Sequence, residues 1–150
     1  MTPGRGELTK TPGIDYLEQG DFAVVKKVIT LPDAPKLPFS SAIRAGDYIF
    51  VSGQIGHTDA QGREVKGIEA QVKQCLENMK RVLAAADSSL DEVVKITVFL
   101  RQEGDFAKMN EVYQNYFTKD RPARSTVIAD LALPSILIEI DCIAYSPPKA

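Results

Sequence analysis

The hydrophobic period of this chain changes at Gly67, and that change limits the folds it can adopt. Over residues 67–87, GIEAQVKQCLENMKRVLAAAD, apolar residues recur at steps of three and four, which predicts an amphipathic helix. The predicted apolar stripe consists of Ile68, Val72, Cys75, Leu76, Met79, Val82, Leu83 and Ala86. The preceding third of the chain has the β-branched residues and turn signals of strands, so one chain is expected to combine both kinds of element.

The segments on either side of this helix predict six strands and one more helix. Three strands precede it, one in residues 22–30 and two in residues 40–56 that are joined at Ala45-Gly46-Asp47. A fourth strand follows in residues 91–101, with Val94, Ile96, Val98 and Leu100 on one face. The second helix, in residues 103–118, is built on Phe106, Met109, Tyr113, Tyr116 and Phe117. The last two strands lie in RSTVIADLALPSILIEIDCIAY, so the predicted order is βββ-α-β-α-ββ.

This order predicts an α+β fold with an uncovered surface. Two helices cannot cover both faces of a mixed sheet of about six strands, so both should pack on one face. Because large apolar patches are rare on monomers, the other face is expected to be covered by another subunit.

Length and composition exclude several classes of protein. The 150 residues suit one domain, with residues 1–22 as a weakly ordered or surface-docked extension and residues 23–150 as the domain. The net charge of −2 has no basic block, which argues against nucleic acid, and no apolar run is long enough for a membrane helix. The start lacks the pattern of a signal peptide, so a cytoplasmic location is expected. Neither the two cysteines nor the single histidine, His57, forms a metal-binding pattern.

Two charged residues stand out in the last two strands. Alternation places Glu139 and Asp141 on the face opposite Ile138, Ile140 and Cys142, where a partly desolvated carboxylate should be paired or have a raised pKa. Arg124 could lie on the strand adjacent to Glu139 and hold a carboxylate with its planar fork. The pair is either a structural ion pair or an anion-binding arginine beside a water-activating glutamate.

Three sequence blocks resemble one protein family. The block RPARSTVIADLALPSILIEIDCIAY resembles the C-terminal signature of the Rid (YjgF-like) reactive intermediate deaminases. The blocks PFSSAIRAGDYIFVSGQIG and VVKITVFLRQEGDFAKMNEVYQNYF resemble the N-terminal and middle blocks of that family, in the same order. The resemblance spans about residues 35–146.

The resemblance implies a chorismate-mutase-like subunit and a homotrimer with sites at the subunit interfaces. It also implies a cofactor-independent hydrolysis of 2-imino or enamine acids, such as 2-aminoacrylate, to 2-keto acids and ammonia. By position in the motifs, Arg124 would bind the substrate carboxylate and Glu139 would activate water. Ser52 would hydrogen-bond the substrate, with Gly53 leaving room for its close approach.

Two positions depart from the family pattern, and other functions stay open. Phe39 replaces a common tyrosine and Thr126 replaces a common cysteine, which favours a more apolar or bulkier imine. Phe39 also keeps open a non-catalytic trimer that binds small carboxylates at Arg124, although Glu139 favours the enzyme. An endoribonuclease ranks third, because one histidine and an acidic balance offer little for phosphodiester cleavage.

Overall fold

The structure, a computed structural model, describes residues 26–149 of the chain. These residues are built around one mixed six-stranded sheet. The strands are β1 Lys26–Ile29, β2 Ala42–Ala45, β3 Tyr48–Ile55, β4 Val93–Leu100, β5 Ala123–Ile128 and β6 Ile138–Tyr145. The helices are α1 Ile68–Ala85 and α2 Phe106–Tyr113, with 3₁₀ turns at Leu90–Glu92 and Glu103–Asp105. The predicted order of strands and helices is therefore confirmed. The proposed extension over residues 1–22 lies outside the described residues.

The order of strands in the sheet is β1-β2-β3-β6-β4-β5. Strands β4 and β5 are parallel and all other neighbours are antiparallel, as expected for a mixed α+β sheet. The β2–β3 hairpin turns at Gly46, whose φ of 57° is a conformation that glycine adopts without steric cost. β6 therefore lies near the middle of the sheet, and β1 and β5 form its edges.

The core lies between the helices and one face of the sheet. All eight residues of the predicted α1 stripe are buried, and they pack against buried residues that include Ile49, Ile96, Ile138 and Ile140. In α2, Met109 and Tyr113 are buried as predicted, but the helix ends at Tyr113, and Phe117 enters the core beyond it. The prediction for Phe106 was wrong, because this ring is 44% exposed at the start of α2.

The predicted face of β4 was wrong at one residue. Ile96, Val98 and Leu100 are buried, but Val94 is 45% exposed and Val93 is buried instead. The pairing of β4 with β6 shifts register between Val93 and Lys95. A bulge at this point interrupts the strict alternation on which the prediction depended.

The sheet face opposite the helices has no cover within the described chain. Alternation and strand pairing place a set of apolar side chains on it, all exposed or only half-buried: Val28, Ile43, Tyr48, Phe50, Phe99, Val127, Ile143 and Tyr145. We call this set the open face. Glu139 and Asp141 lie on the same side, as the alternation in β6 predicted. In residues 26–149, no helix has the length and apolar character needed to cross a bilayer.

Candidate active site

A bulge in β3 shapes the first candidate site. Val51 pairs with Cys142 and Gln54 with Ile140, so Ser52 and Gly53 together lie opposite Asp141. Two residues facing one residue form a bulge, a device that redirects side chains near active sites. The bulge therefore changes the direction of β3 at the serine and glycine that the sequence predicted for substrate contact.

Glu139 fills the space that Gly53 leaves. A Cβ atom at Gly53 would overlap Oε1 and Cδ of Glu139, so only glycine permits this close approach. The Glu139 side chain is half-buried, and burial raises the pKa of its carboxyl group. The negative charge of Asp141, two residues along the same face, raises this pKa further.

Ser52 and Phe39 lie on the same side of the molecule as Gly53. The Ser52 hydroxyl donates a hydrogen bond of 2.6 Å to the Ser40 carbonyl, which leaves its oxygen lone pairs available to accept. Ser52, Gly53 and Phe39 line a cavity of about 400 Å³ between the segment that follows β1 and helix α1. Phe39 is 59% exposed. Glu139 does not line this cavity; it approaches only Gly53, which does. We call the set of Phe39, Ser52, Gly53 and Glu139 the Glu139 pocket.

Arg124 lies elsewhere, on the helix side of edge strand β5. It pairs with Ile96, whose side chain is in the core, and parallel partners point to the same face. Its guanidinium carbon is 4.6 Å from the centre of the Tyr113 ring and 5.9 Å from that of Phe106. These distances are those of cation–π stacking, so α2 fixes the direction of the arginine. Thr126 pairs with Val98 and lies on the same face.

The predicted adjacency of Arg124 and Glu139 was wrong. Strand β4 pairs with both β5 and β6 and separates them. Two strand spacings amount to about 10 Å, and the two side chains also point to opposite faces. No ion pair joins them within the described chain. Within one chain, therefore, Arg124 and Glu139 do not lie next to each other.

Both cysteines lie in the core rather than in a site. Cys75 and Cys142 are buried, and burial raises the pKa of Cys142 to about 12, so its thiol stays protonated. The two cysteines fill the core, as the sequence indicated. Among residues 26–149, no three histidine, cysteine, aspartate or glutamate side chains come together as a potential metal site.

Sequence reasoning missed the polar surroundings of Arg124. The arginine lines a cleft of about 290 Å³ with Asn110, Tyr113, Gln114, Arg121 and Pro122, which we call the Arg124 cleft. Tyr113 was assigned to the core alone, and the other polar residues were not considered. The available signal was the spacing of Asn110, Tyr113 and Gln114, which places them on one side of α2.

The sequence matches known proteins over most of its length. Residues 31–146 match the family described as endoribonuclease L-PSP. The chain is 48% identical over 124 residues to a RutC family protein of Pyrococcus horikoshii, covering 81% of this chain and 98% of that protein. It is also 37% identical to Reactive Intermediate Deaminase A of Arabidopsis thaliana, over 91% of this chain and 74% of that protein.

Solved structures show the same architecture. The YjgF gene product of E. coli aligns with a TM-score of 0.72 at 34% identity, covering 79% of this chain and 98% of that one. The Rid family protein YyfA of Yersinia pestis aligns with a TM-score of 0.73 at 36% identity, covering 81% and 99%. Residues 31–146, which match the family, include the strands and the helix that carry the Glu139 pocket and the Arg124 cleft.

Proposed function

This chain belongs to the Rid (YjgF/RutC) family, also described as endoribonuclease L-PSP, and on that premise we propose that it is a cofactor-independent imine deaminase. The substrates are 2-imino acids and their enamine tautomers, of the 2-aminoacrylate type. The observation that carries the proposal is a half-buried glutamate with a raised pKa, set beside a glycine that leaves it room. A carboxylate whose pKa is raised toward neutrality is a better general base than an ordinary one.

The reaction needs a positioned water and a held substrate. Glu139 accepts a proton from water as the water oxygen bonds to the imine carbon, and the C=N double bond becomes a single bond. Glu139 then gives this proton to the nitrogen of the tetrahedral adduct, and next transfers the proton of the new hydroxyl group to the same nitrogen. The carbon–nitrogen bond breaks, ammonia leaves, and the carbon–oxygen double bond of the 2-keto acid forms. Arg124 binds the substrate carboxylate with two parallel hydrogen bonds and fixes the angle of attack. The free lone pairs of Ser52 accept a hydrogen bond from the substrate N–H.

The separation of these groups supports a shared site. Strand β3, with Ser52, and strand β5, with Arg124, lie three strand spacings apart, about 14 Å, which no small imino acid spans. The open face supplies an apolar surface through which subunits can associate. We infer a homotrimer in which the Glu139 pocket of one subunit meets the Arg124 cleft of its neighbour.

Two residues set the character of the substrate pocket. Phe39 adds an apolar, half-exposed ring to the Glu139 pocket, and Thr126 adds a methyl group and a hydroxyl beside Arg124. Both residues favour imines that carry an apolar group near C3 over the smaller 2-iminopropanoate. We therefore expect 2-iminobutanoate-type substrates to be turned over at least as well as 2-iminopropanoate.

The proposal is tested by forming imines in place. An amino acid oxidase with catalase converts an L-amino acid to its imine, and semicarbazide traps the imine that the protein has not yet hydrolysed. A lower yield of semicarbazone with wild type and not with Glu139→Gln supports the deaminase. If wild type accelerates no imine but binds small carboxylates through Arg124, the chain is the non-catalytic binding trimer instead.

A further inference from the structure

The Arg124 cleft contains more positive charge than one substrate carboxylate needs. Arg121 lines the same cleft as Arg124, and its Nε donates a hydrogen bond of 3.1 Å to the Phe117 carbonyl. Within residues 26–149, neither guanidinium forms an ion pair with a carboxylate. Of the other arginines in residues 26–149, Arg63 and Arg81 have carboxylate partners, and Arg44 and Arg101 donate to backbone carbonyls from their terminal nitrogens or Nε. Two neighbouring cations without a counter-ion form a site for negative charge.

A buried hydroxyl in the same cleft also lacks a partner. Tyr113 is 7% exposed, and its hydroxyl is the buried side-chain polar atom without a hydrogen bond among the described residues. Burial raises the pKa of Tyr113, while the positive charges of Arg124 and Arg121 act against this rise. The guanidinium carbon of Arg124 lies 4.6 Å from the centre of this ring. Leaving such a group unsatisfied costs stability unless a ligand completes it.

Local geometry holds the two arginines in place before any ligand arrives. Pro122 fixes the backbone φ angle immediately after Arg121, and the Arg121 Nε bond to Phe117 restricts its side chain. Arg124 is stacked on Tyr113. A ligand with two negative groups would therefore bind without much loss of side-chain entropy.

We propose that the Arg124 cleft binds a dicarboxylic acid, with Arg124 on the C1 carboxylate and Arg121 on the distal one. This inference rests on the proposed function and adds a second substrate class to the apolar imines named there: the four- and five-carbon 2-imino dicarboxylic acids formed by oxidation of aspartate and glutamate. The Tyr113 hydroxyl donates its free hydrogen bond to one of the two carboxylates. Hydrolysis of the imine then follows the route already given and yields the 2-keto dicarboxylic acid and ammonia.

A kinetic comparison of two imines tests the role of Arg121. The imine of alanine, with one carboxylate, and the imine of aspartate, with two, are formed with their oxidases in a buffer without phosphate. For Arg121→Gln, kcat/KM should fall about tenfold or more for the aspartate imine, the effect of one lost charge-assisted hydrogen bond, and less than about twofold for the alanine imine. Arg121→Lys should recover part of the loss.

The control variant is Lys119→Gln. It removes one positive charge from the same segment, two residues away, but its side chain does not line the cleft. Lys119→Gln should leave kcat/KM for both imines almost unchanged. An equal loss for both imines in Arg121→Gln, or an equal selective loss in Lys119→Gln, would overturn the assignment of Arg121.

Calorimetry measures the same preference without turnover. Wild type should bind 2-oxoglutarate more tightly than 2-oxobutanoate, and the difference should disappear in Arg121→Gln and shrink with added NaCl. Equal binding of the two acids by wild type would overturn the dicarboxylate site. If wild type hydrolyses the alanine imine but shows no dependence on Arg121, this inference fails alone; if it hydrolyses no imine, the proposed function fails, and the calorimetry alone decides whether a dicarboxylate site exists.

Discussion

Glu139 is the residue whose environment says most about chemistry. Its pKa is raised first by burial and then by Asp141, so its proton is released above the pH at which an ordinary glutamate ionises. Folding therefore favours the neutral form more than the unfolded chain does, and stability falls as pH rises through the interval between the unfolded and the folded pKa. A group held at a cost to stability at neutral pH is characteristic of a functional site.

Replacing Glu139 with glutamine should separate catalysis from stability. Glu139→Gln should lower kcat by about 10²- to 10⁴-fold, as expected for loss of a general base, with a much smaller change in KM. Because a neutral amide escapes the cost of ionisation, its melting temperature at pH 8 should equal or exceed that of wild type. Asp141→Asn should shift the acidic limb of the wild-type pH–rate profile to lower pH. Wild-type kcat with a lowered melting temperature would refute the catalytic role.

Replacement by alanine should have opposite effects at two glycines that have close neighbours. At Gly53 the added Cβ meets the mobile end of Glu139, whereas at Gly56 it meets the Gln71 backbone carbonyl in α1. Gly53→Ala should keep its stability, since the carboxylate can rotate away, but kcat should fall at least tenfold. Gly56→Ala should instead lose about 1–3 kcal/mol of stability, because backbone cannot give way. Urea unfolding and imine hydrolysis on both variants check this, and full activity in Gly53→Ala would contradict the assigned position of Glu139.

At the scale of elements, one buried side chain of helix α1 hydrogen-bonds the segment that leads into the strand that carries Glu139. Gln71 is 2% exposed. Its amide nitrogen donates to the carbonyls of Val65 (3.0 Å) and Ser135 (2.9 Å), and its oxygen accepts from the Leu137 N–H (2.9 Å). Leu137 is two residues before Glu139, so this amide fixes the entry into β6.

Gln71→Leu keeps the approximate volume of the side chain but leaves these three backbone groups without partners. Stability should fall by about 2–4 kcal/mol, since each buried group loses its hydrogen bond. The urea midpoint measures the loss, and Gln102→Leu, at an exposed position before the second 3₁₀ turn, is the matched control. Equal midpoints in the two variants would show that Gln71 does not hold α1 to β6.

The sequence predicted the elements better than their arrangement. Periodicity depends on which residues are buried, so it located α1 and the core face of β6 correctly. It could not locate the bulges at Val93–Lys95 and Val51–Gln54, since each interrupts alternation by one residue. Nor could it show that β4 lies between β5 and β6, because pairing between distant strands leaves no local signal. The Arg124–Glu139 adjacency failed for this reason.

For the whole molecule, the open face predicts association. Eight apolar side chains on one uncovered sheet face form a surface typical of subunit interfaces. Sedimentation should show a trimer for wild type. Phe50→Asp, which places a charge on this face at a residue that is 46% exposed, should shift the protein to monomer and remove activity.

Lys73→Glu, on the exposed side of α1, is the control for an added negative charge and should remain trimeric. A monomeric wild type at micromolar concentration, or a fully active Phe50→Asp monomer, would contradict a site shared between subunits.

The placement of Arg124 and Glu139 on opposite faces of one sheet also has a genetic consequence. If each site takes its arginine from one subunit and its glutamate from the next, Arg124→Gln and Glu139→Gln chains are inactive alone but complement each other when refolded together. In an equal mixture, about a quarter of the junctions in closed cyclic assemblies combine an intact Arg124 with an intact Glu139. A cell that expresses both defective alleles would then have partial activity, whereas a cell with two copies of either allele alone would have none.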